Sequence, residues 1–134
     1  MADPALFADI VQHNVPLASF TYLKLGGAAE QLVTPRSRDE LSAFVRHCAD
    51  QHVPLHVLGN GCNLLIPDEG VRGAVVRLNA TAFSTVAVEA RIVNAGAGTA
   101  LSALISQAAR HALTGLETLV GILGTVGGAL RCSM

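Results

Sequence analysis

Tryptophan is missing from this chain, and its 134 residues include only one tyrosine and four phenylalanines. A core with so few rings must be aliphatic, so the 51% hydrophobic fraction has to pack as Leu, Val, Ile and Ala between sheet and helix layers. Charge of either sign is also sparse. Nine basic residues, scattered along the chain, stand against ten acidic ones and leave a formal charge of −1. That excludes the electrostatic footprint of a binder of nucleic acid or of an anionic membrane. An anionic ligand would have to be held by local geometry. Cysteine is limited to Cys48, Cys62 and Cys132, with no CxxC pair. Neither a disulfide framework nor a zinc site is expected, and a reducing cytoplasm is the expected location. The Met-Ala-Asp-Pro start lacks the basic-then-apolar pattern of a signal peptide. The uncharged stretch at residues 118–130 falls short of the roughly 20 residues that a spanning helix needs. Its Gly124-x-x-x-Gly128 spacing is therefore read as a loop allowing close backbone approach, and no membrane partner is expected. Solenoid-length repeats and low-complexity tracts are absent too.

What is present has the pattern of an α+β domain. Residues 6–13 read as a short helix closed by the Asn14-Val15-Pro16 turn, which makes residues 1–15 an N-terminal helical appendage to a domain covering residues 16–134. Residues 30–34 read as a strand. Ser37-x-x-Glu40 is a capping box, and the helix it starts carries Leu41, Phe44, Val45, Cys48 and Ala49 on one apolar stripe. Residues 55–58 read as a buried strand running into Gly59-Asn60-Gly61. Residues 64–66, 74–78, 84–88 and 91–95 are further strand candidates, the last two joined by a tight corner at Glu89-Ala90. After Gly96-Ala97-Gly98, Thr99 is placed to cap a second helix with Leu101, Leu104, Ile105, Ala108 and Ala109 on its apolar face. The order is not a steady βαβα alternation, so a mixed sheet fits better than a doubly wound one.

Chemistry is suggested by three glycine clusters: residues 58–65, residues 94–98 and residues 121–128. A loop without Cβ atoms can turn its backbone N–H groups onto phosphate oxygens and hold a pyrophosphate without lysine. Neither a GxGxxG opening a helix nor a GxxxxGK[ST] occurs, which disfavours Rossmann and P-loop sites. His52 and His56 have the spacing of two helical metal ligands, but Pro54 breaks any helix between them, and no metal site is expected. Asp68-Glu69 reads as a solvated turn. Cys62 could be activated by converging amides, although no histidine neighbours it in sequence. Tyr22 and Lys24, the sole residues of their types, are read as edge packing or a nucleotide contact.

Residues 58–65, followed by Pro67-Asp68-Glu69-Gly70-Val71-Arg72-Gly73-Ala74-Val75-Val76-Arg77-Leu78, resemble the diphosphate-loop signature of the UDP-N-acetylenolpyruvoylglucosamine reductase (MurB) family. Thr21-Tyr22-Leu23-Lys24-Leu25-Gly26-Gly27-Ala28-Ala29 is similar to that family's opening motif. Gly115-Leu116-Glu117 and residues 121–129 are similar to its second flavin-contacting loop. The resemblance covers residues 16–131 and implies an FAD-binding domain of the vanillyl-alcohol-oxidase/p-cresol-methylhydroxylase type, incomplete at its C-terminus. It implies that NADPH reduces FAD, and that the flavin reduces the enolpyruvyl ether of a UDP-sugar during peptidoglycan precursor synthesis. By position, Gly59, Asn60, Gly61, Cys62, Asn63 and Leu64 would cradle the FAD diphosphate. Ile122, Gly124, Thr125, Val126, Gly127 and Gly128 would line a second face.

Two positions depart from the family pattern: Cys62 replaces a usual Ser and Leu123 a usual Pro, which removes a fixed φ. The family's catalytic arginine, serine and glutamate lie beyond this sequence, so no catalytic residue is assigned and the substrate domain is expected to be absent. The alternative reading is a truncated or degenerate flavin- or nucleotide-binding module without turnover. An oxidase with covalent flavin would need a His or Cys at an attachment motif, which neither Cys62 nor His111 provides. The apolar C-terminal segment is expected to be exposed and to drive self-association.

Overall fold

The computed structural model describes residues 4–132. Its centre is a four-stranded mixed sheet of β1 (Val11–Pro16), β2 (Ala28–Val33), β3 (Leu55–Leu58) and β4 (Val71–Arg77), in the order β1-β2-β4-β3. β1 is antiparallel to β2, whereas β2 and β3 both run parallel to β4. Strand alternation sends side chains to two separate clusters, one on each face. Val33, Ala74 and Val76 face Phe44 and Cys48 of helix α1 (Arg38–Asp50), together with Phe7 and Ile10. Leu32, Val75 and Leu58 face the opposite cluster with Leu17, Ala29 and Ile66. A hairpin of β5 (Val86–Glu89) and β6 (Ile92–Ala95), helix α2 (Leu101–Arg110) and the short helix α3 (Val126–Arg131) follow. No helix among the described residues is long and apolar enough to cross a membrane.

The start of the chain departs from the expected helical appendage. A 3-10 turn at Pro4–Phe7 leads into β1, which pairs with β2 from Val11↔Val33 to Pro16↔Ala28. Phe7 and Ile10 are core residues, and the Phe7 ring meets Phe44 edge-on at 5.1 Å between centroids. Pairing with the otherwise open edge of β2 overrides the weak local helix signal, and Pro16 is tolerated because it ends an edge strand. Residues 64–66 form no strand. Leu64 and Leu65 are exposed, and only Ile66 is buried, in the second cluster. β3 has its expected bounds, but of its side chains only Leu58 is buried; Val57 is 64% exposed because α1 covers Val33, Ala74 and Val76 and not this edge.

The cap of α1 is half as expected. Ser37 Oγ accepts from the Glu40 amide at 3.2 Å, while the Glu40 carboxylate takes the Arg36 amide at 2.7 Å instead of the Ser37 amide. Within the expected stripe, Phe44 and Cys48 are buried, but Val45 is 39% exposed. Thr99 does not cap α2: Ala100 holds that position, and Thr99 is buried with no partner for its hydroxyl. Of the second stripe, Leu101 and Ala108 are buried, whereas Ala109 is exposed. The corner between β5 and β6 turns at Ala90, whose φ is 53°.

Candidate functional site

β3 and β4 are parallel, so their carboxyl ends open on the same side of the sheet, where Leu58 is paired with Arg77. Crevices outside such strand ends are the usual ligand positions in α/β sheets. The first glycine loop starts there. A Cβ on Gly59 would stand 3.0 Å from Thr125 Oγ1, so this loop and the 121–128 segment pack closely at a position where a side chain would be tight. Gly61 has φ +66°, and a Cβ there would run into the Phe20 carbonyl and the Thr21 Cα. Its own carbonyl accepts the Tyr22 amide at 2.9 Å, which binds the 21–29 motif to the loop. Asn63 Nδ2 lies 3.8 Å from Cys132 Sγ, just beyond α3.

The remaining cluster joins from below. Val126 N donates to Thr99 O and Gly127 N to Ala97 O, each at 2.8 Å, and Leu101 N donates to Gly124 O at 3.0 Å. Residues 59–63, 96–99 and 124–128, though far apart in sequence, therefore meet at one edge of the molecule.

Both flavin-loop segments offer a ligand free backbone amides. Among the described residues, the amides of Asn60, Gly61, Cys62 and Asn63 donate to no acceptor of the chain. Four successive free donors in a loop that includes two glycines can converge on an anion. The amides of Val126, Gly127 and Gly128 are all engaged within the protein, that of Gly128 with the Thr125 hydroxyl at 3.2 Å. Thr125, 6% exposed, is the N-cap of α3, and among the described residues the amides of Leu123, Gly124 and Thr125 just before that helix also donate to no acceptor of the chain. Leu64 and Ile122 are 42% and 41% exposed.

Two residues of the site were not singled out in the sequence. Phe20 lies against the loop through its carbonyl, and the Arg77 guanidinium stacks over its ring at 4.5 Å from the centroid. Burial lowers the Arg77 pKa from its ordinary value, yet an arginine stays charged. The signal available was a cation directly following the apolar run Ala74-Val75-Val76 at the end of β4. Cys48 lies remote from the site in the α1 core, and burial raises its thiol pKa. Cys62 Sγ reaches only the Asn60 carbonyl, at 3.9 Å. Among the described residues, no group of three or more His, Cys, Asp or Glu side chains is placed to hold a metal ion.

A sheet whose parallel strand ends open onto a glycine loop with free amides, walled by a second glycine segment, describes a nucleotide-cofactor domain. The family description "FAD binding domain" matches residues 29–131, and the chain belongs to that family. It is 42% identical over 117 residues to the UDP-N-acetylenolpyruvoylglucosamine reductase of Caldanaerobacter subterraneus subsp. tengcongensis, covering 87% of this chain and 38% of that protein. It is 45% identical over 117 residues, with the same shares, to the reductase of Moorella thermoacetica. The chain thus spans about two-fifths of the length of these curated relatives and matches their N-terminal part. Among solved structures, the crystal structure of the Thermus caldophilus reductase (MurB) aligns with a TM-score of 0.71 and 42% identity, over 90% of this chain and 41% of that one. Cholesterol oxidase from B. sterolicum aligns with a TM-score of 0.64 at 17% identity, over 97% of this chain and 26% of that one, a likeness of fold alone. The fold is therefore α+β of the vanillyl-alcohol-oxidase type.

Proposed function

We propose that this chain is the FAD-holding part of an NADPH-dependent reductase that converts UDP-N-acetylglucosamine enolpyruvate to UDP-N-acetylmuramate in peptidoglycan synthesis, in the cytoplasm. The observation that carries the cofactor assignment is the run of free amides at Asn60, Gly61, Cys62 and Asn63, at the carboxyl end of a parallel strand. The names of the relatives support the substrate class, a UDP-sugar. The residues present fit FAD. Gly59, Asn60, Gly61, Cys62, Asn63 and Leu64 form the diphosphate cradle, and the Asn63 side chain is near enough to add a donor. Gly124, Thr125, Val126, Gly127 and Gly128 form the facing wall, held at its distance by the absence of a Cβ on Gly59, and Ile122 adds apolar cover. FAD, when bound, supplies the two-electron chemistry; the chain binds and orients it.

Absorption and fluorescence spectra of the purified chain, recorded with and without added FAD and then after anaerobic NADPH, test this reading. Bound FAD with quenched or shifted flavin bands is expected, and no binding at saturating FAD would overturn the assignment. Failure of NADPH to bleach bound flavin would favour the second reading, a flavin-binding module without turnover. That reading is supported by Leu123, 64% exposed where the family resemblance leads one to expect a proline. We also propose self-association through the apolar surface of Val120, Leu123 and Leu130, which are 68%, 64% and 75% exposed. A monomeric mass in light scattering at micromolar concentration would refute it.

A further inference from the structure

β4 alternates between the two core clusters, with Val75 on one face and Val76 on the other. The next residue, Arg77, returns to the face of Val75 and Leu58 and closes the strand beside the point where the first glycine loop begins. Its guanidinium lies 4.5 Å above the Phe20 ring, and the carbonyl of that same Phe20 is what a Cβ on Gly61 would strike. Arg77 and the loop with four free amides thus rest on the same residue.

The electrostatic surroundings of Arg77 are incomplete. Its Nε is buried and donates to nothing, and no carboxylate among the described residues pairs with it; the ion pairs observed all involve Arg36. A buried donor left unmade lowers stability, and cations desolvated without a partner concentrate at functional sites. We infer that Arg77 is a binding residue for the cofactor's diphosphate, supplying to the free-amide loop the positive charge that the loop itself lacks. This rests on the FAD reading above and adds a residue that the glycine motifs do not contain. A guanidinium presents several donors in a fixed plane and recognises phosphate oxygens in pairs, whereas the loop amides supply direction but only partial charge.

The test compares FAD with riboflavin, which has the same ring system and no phosphate, by flavin fluorescence titration of the full chain and of Arg77→Met and Arg77→Lys. Methionine keeps a long apolar stem over Phe20 and removes the unmade donor. The expected result is FAD binding weakened by about ten- to a hundredfold in R77M, with partial recovery in R77K. Riboflavin affinity should be unchanged, and the salt dependence of FAD binding reduced. Without ligand, R77M should melt at or above the temperature of the parent chain. If Arg77 serves only to pack on Phe20, R77M melts lower without ligand and loses FAD and riboflavin affinity in equal proportion, and the inference is overturned. A parent chain that binds no FAD overturns the flavin reading and this inference together. A parent that binds FAD as tightly as R77M overturns only this one.

Discussion

Replacing Gly61 by alanine tests whether the first glycine loop depends on close backbone approach. An alanine at φ +66° sits in the left-handed region, at roughly 1–2 kcal/mol. The new methyl would collide with the Phe20 carbonyl and the Thr21 Cα, both backbone atoms with little room to yield, adding about 1–3 kcal/mol. Any shift that relieves the collision lengthens the Tyr22 N to Gly61 O bond, now 2.9 Å, worth about 1 kcal/mol. The expected loss is therefore about 3–6 kcal/mol, a large share of the roughly 5–15 kcal/mol typical of a domain. Gly121→Ala is the control. It has φ +88° but no atom within 4 Å of the added Cβ, so it carries backbone strain alone. Urea unfolding followed by circular dichroism, with FAD titration under native conditions, compares the two. Gly61→Ala should be the less stable by about 2 kcal/mol or more and should lose FAD binding even where it remains folded. Equal unfolding midpoints for the two variants would refute the close-approach argument.

Thr125→Ala removes the N-cap of α3 and should cost about 1 kcal/mol in urea unfolding, with Thr125→Ser restoring most of it. The Glu40 carboxyl is held below its ordinary range by its hydrogen bonds to the Arg36 side chain and amide. Its contribution is full above the unfolded pKa and falls away as pH drops through the folded one, so Glu40→Gln should flatten the acid limb of the stability profile. Alkylation of the native chain, followed by mass spectrometry, should modify Cys62 and Cys132 before Cys48, which is 3% exposed and whose thiol pKa is raised by burial. Equal labelling of all three would contradict the core position of α1.

Much of the scaffold was legible because its signals are local. Ser37 and the Leu41, Phe44, Cys48 spacing mark α1, the apolar run ending at Leu58 marks β3, and the alternation in residues 86–95 marks the hairpin. Signals that depend on distant partners were not legible. β1 exists because β2 offers an open edge, and local sequence around Asn14, with its φ of 52°, contains a turn signal instead. Residues 64–66 look like a strand because Leu64, Leu65 and Ile66 are apolar, yet only Ile66 is buried and none of the three pairs with a strand. α3 was hidden by Gly127 and Gly128, poor helix formers that are tolerated because Thr125 caps the turn and Ala97 and Thr99 accept its first amides. The candidate site residues were singled out through their glycines. Phe20 and Arg77 were missed because stacking leaves no motif.

The topology gives a physical reason why the first glycine loop keeps its amides free. β4 lies between β2 and β3 and runs parallel to both, so after β3 the chain must travel back along the sheet before β4 can begin. Parallel neighbours always require such a crossover, and here it is residues 59–70, without a helix. Its far part is anchored by Ile66 and by the Gly27 amide donating to the Pro67 carbonyl at 3.0 Å. Its near part has just left the ladder and has no strand or helix to receive its amides. The 124–128 segment is tied to residues 97–101 by three backbone bonds around the start of α3, and these leave the amides of Leu123, Gly124 and Thr125 without an acceptor among the described residues. An anion at this site therefore meets free amides from both segments, Asn60 to Asn63 and Leu123 to Thr125, with Arg77 as the cation beside the first.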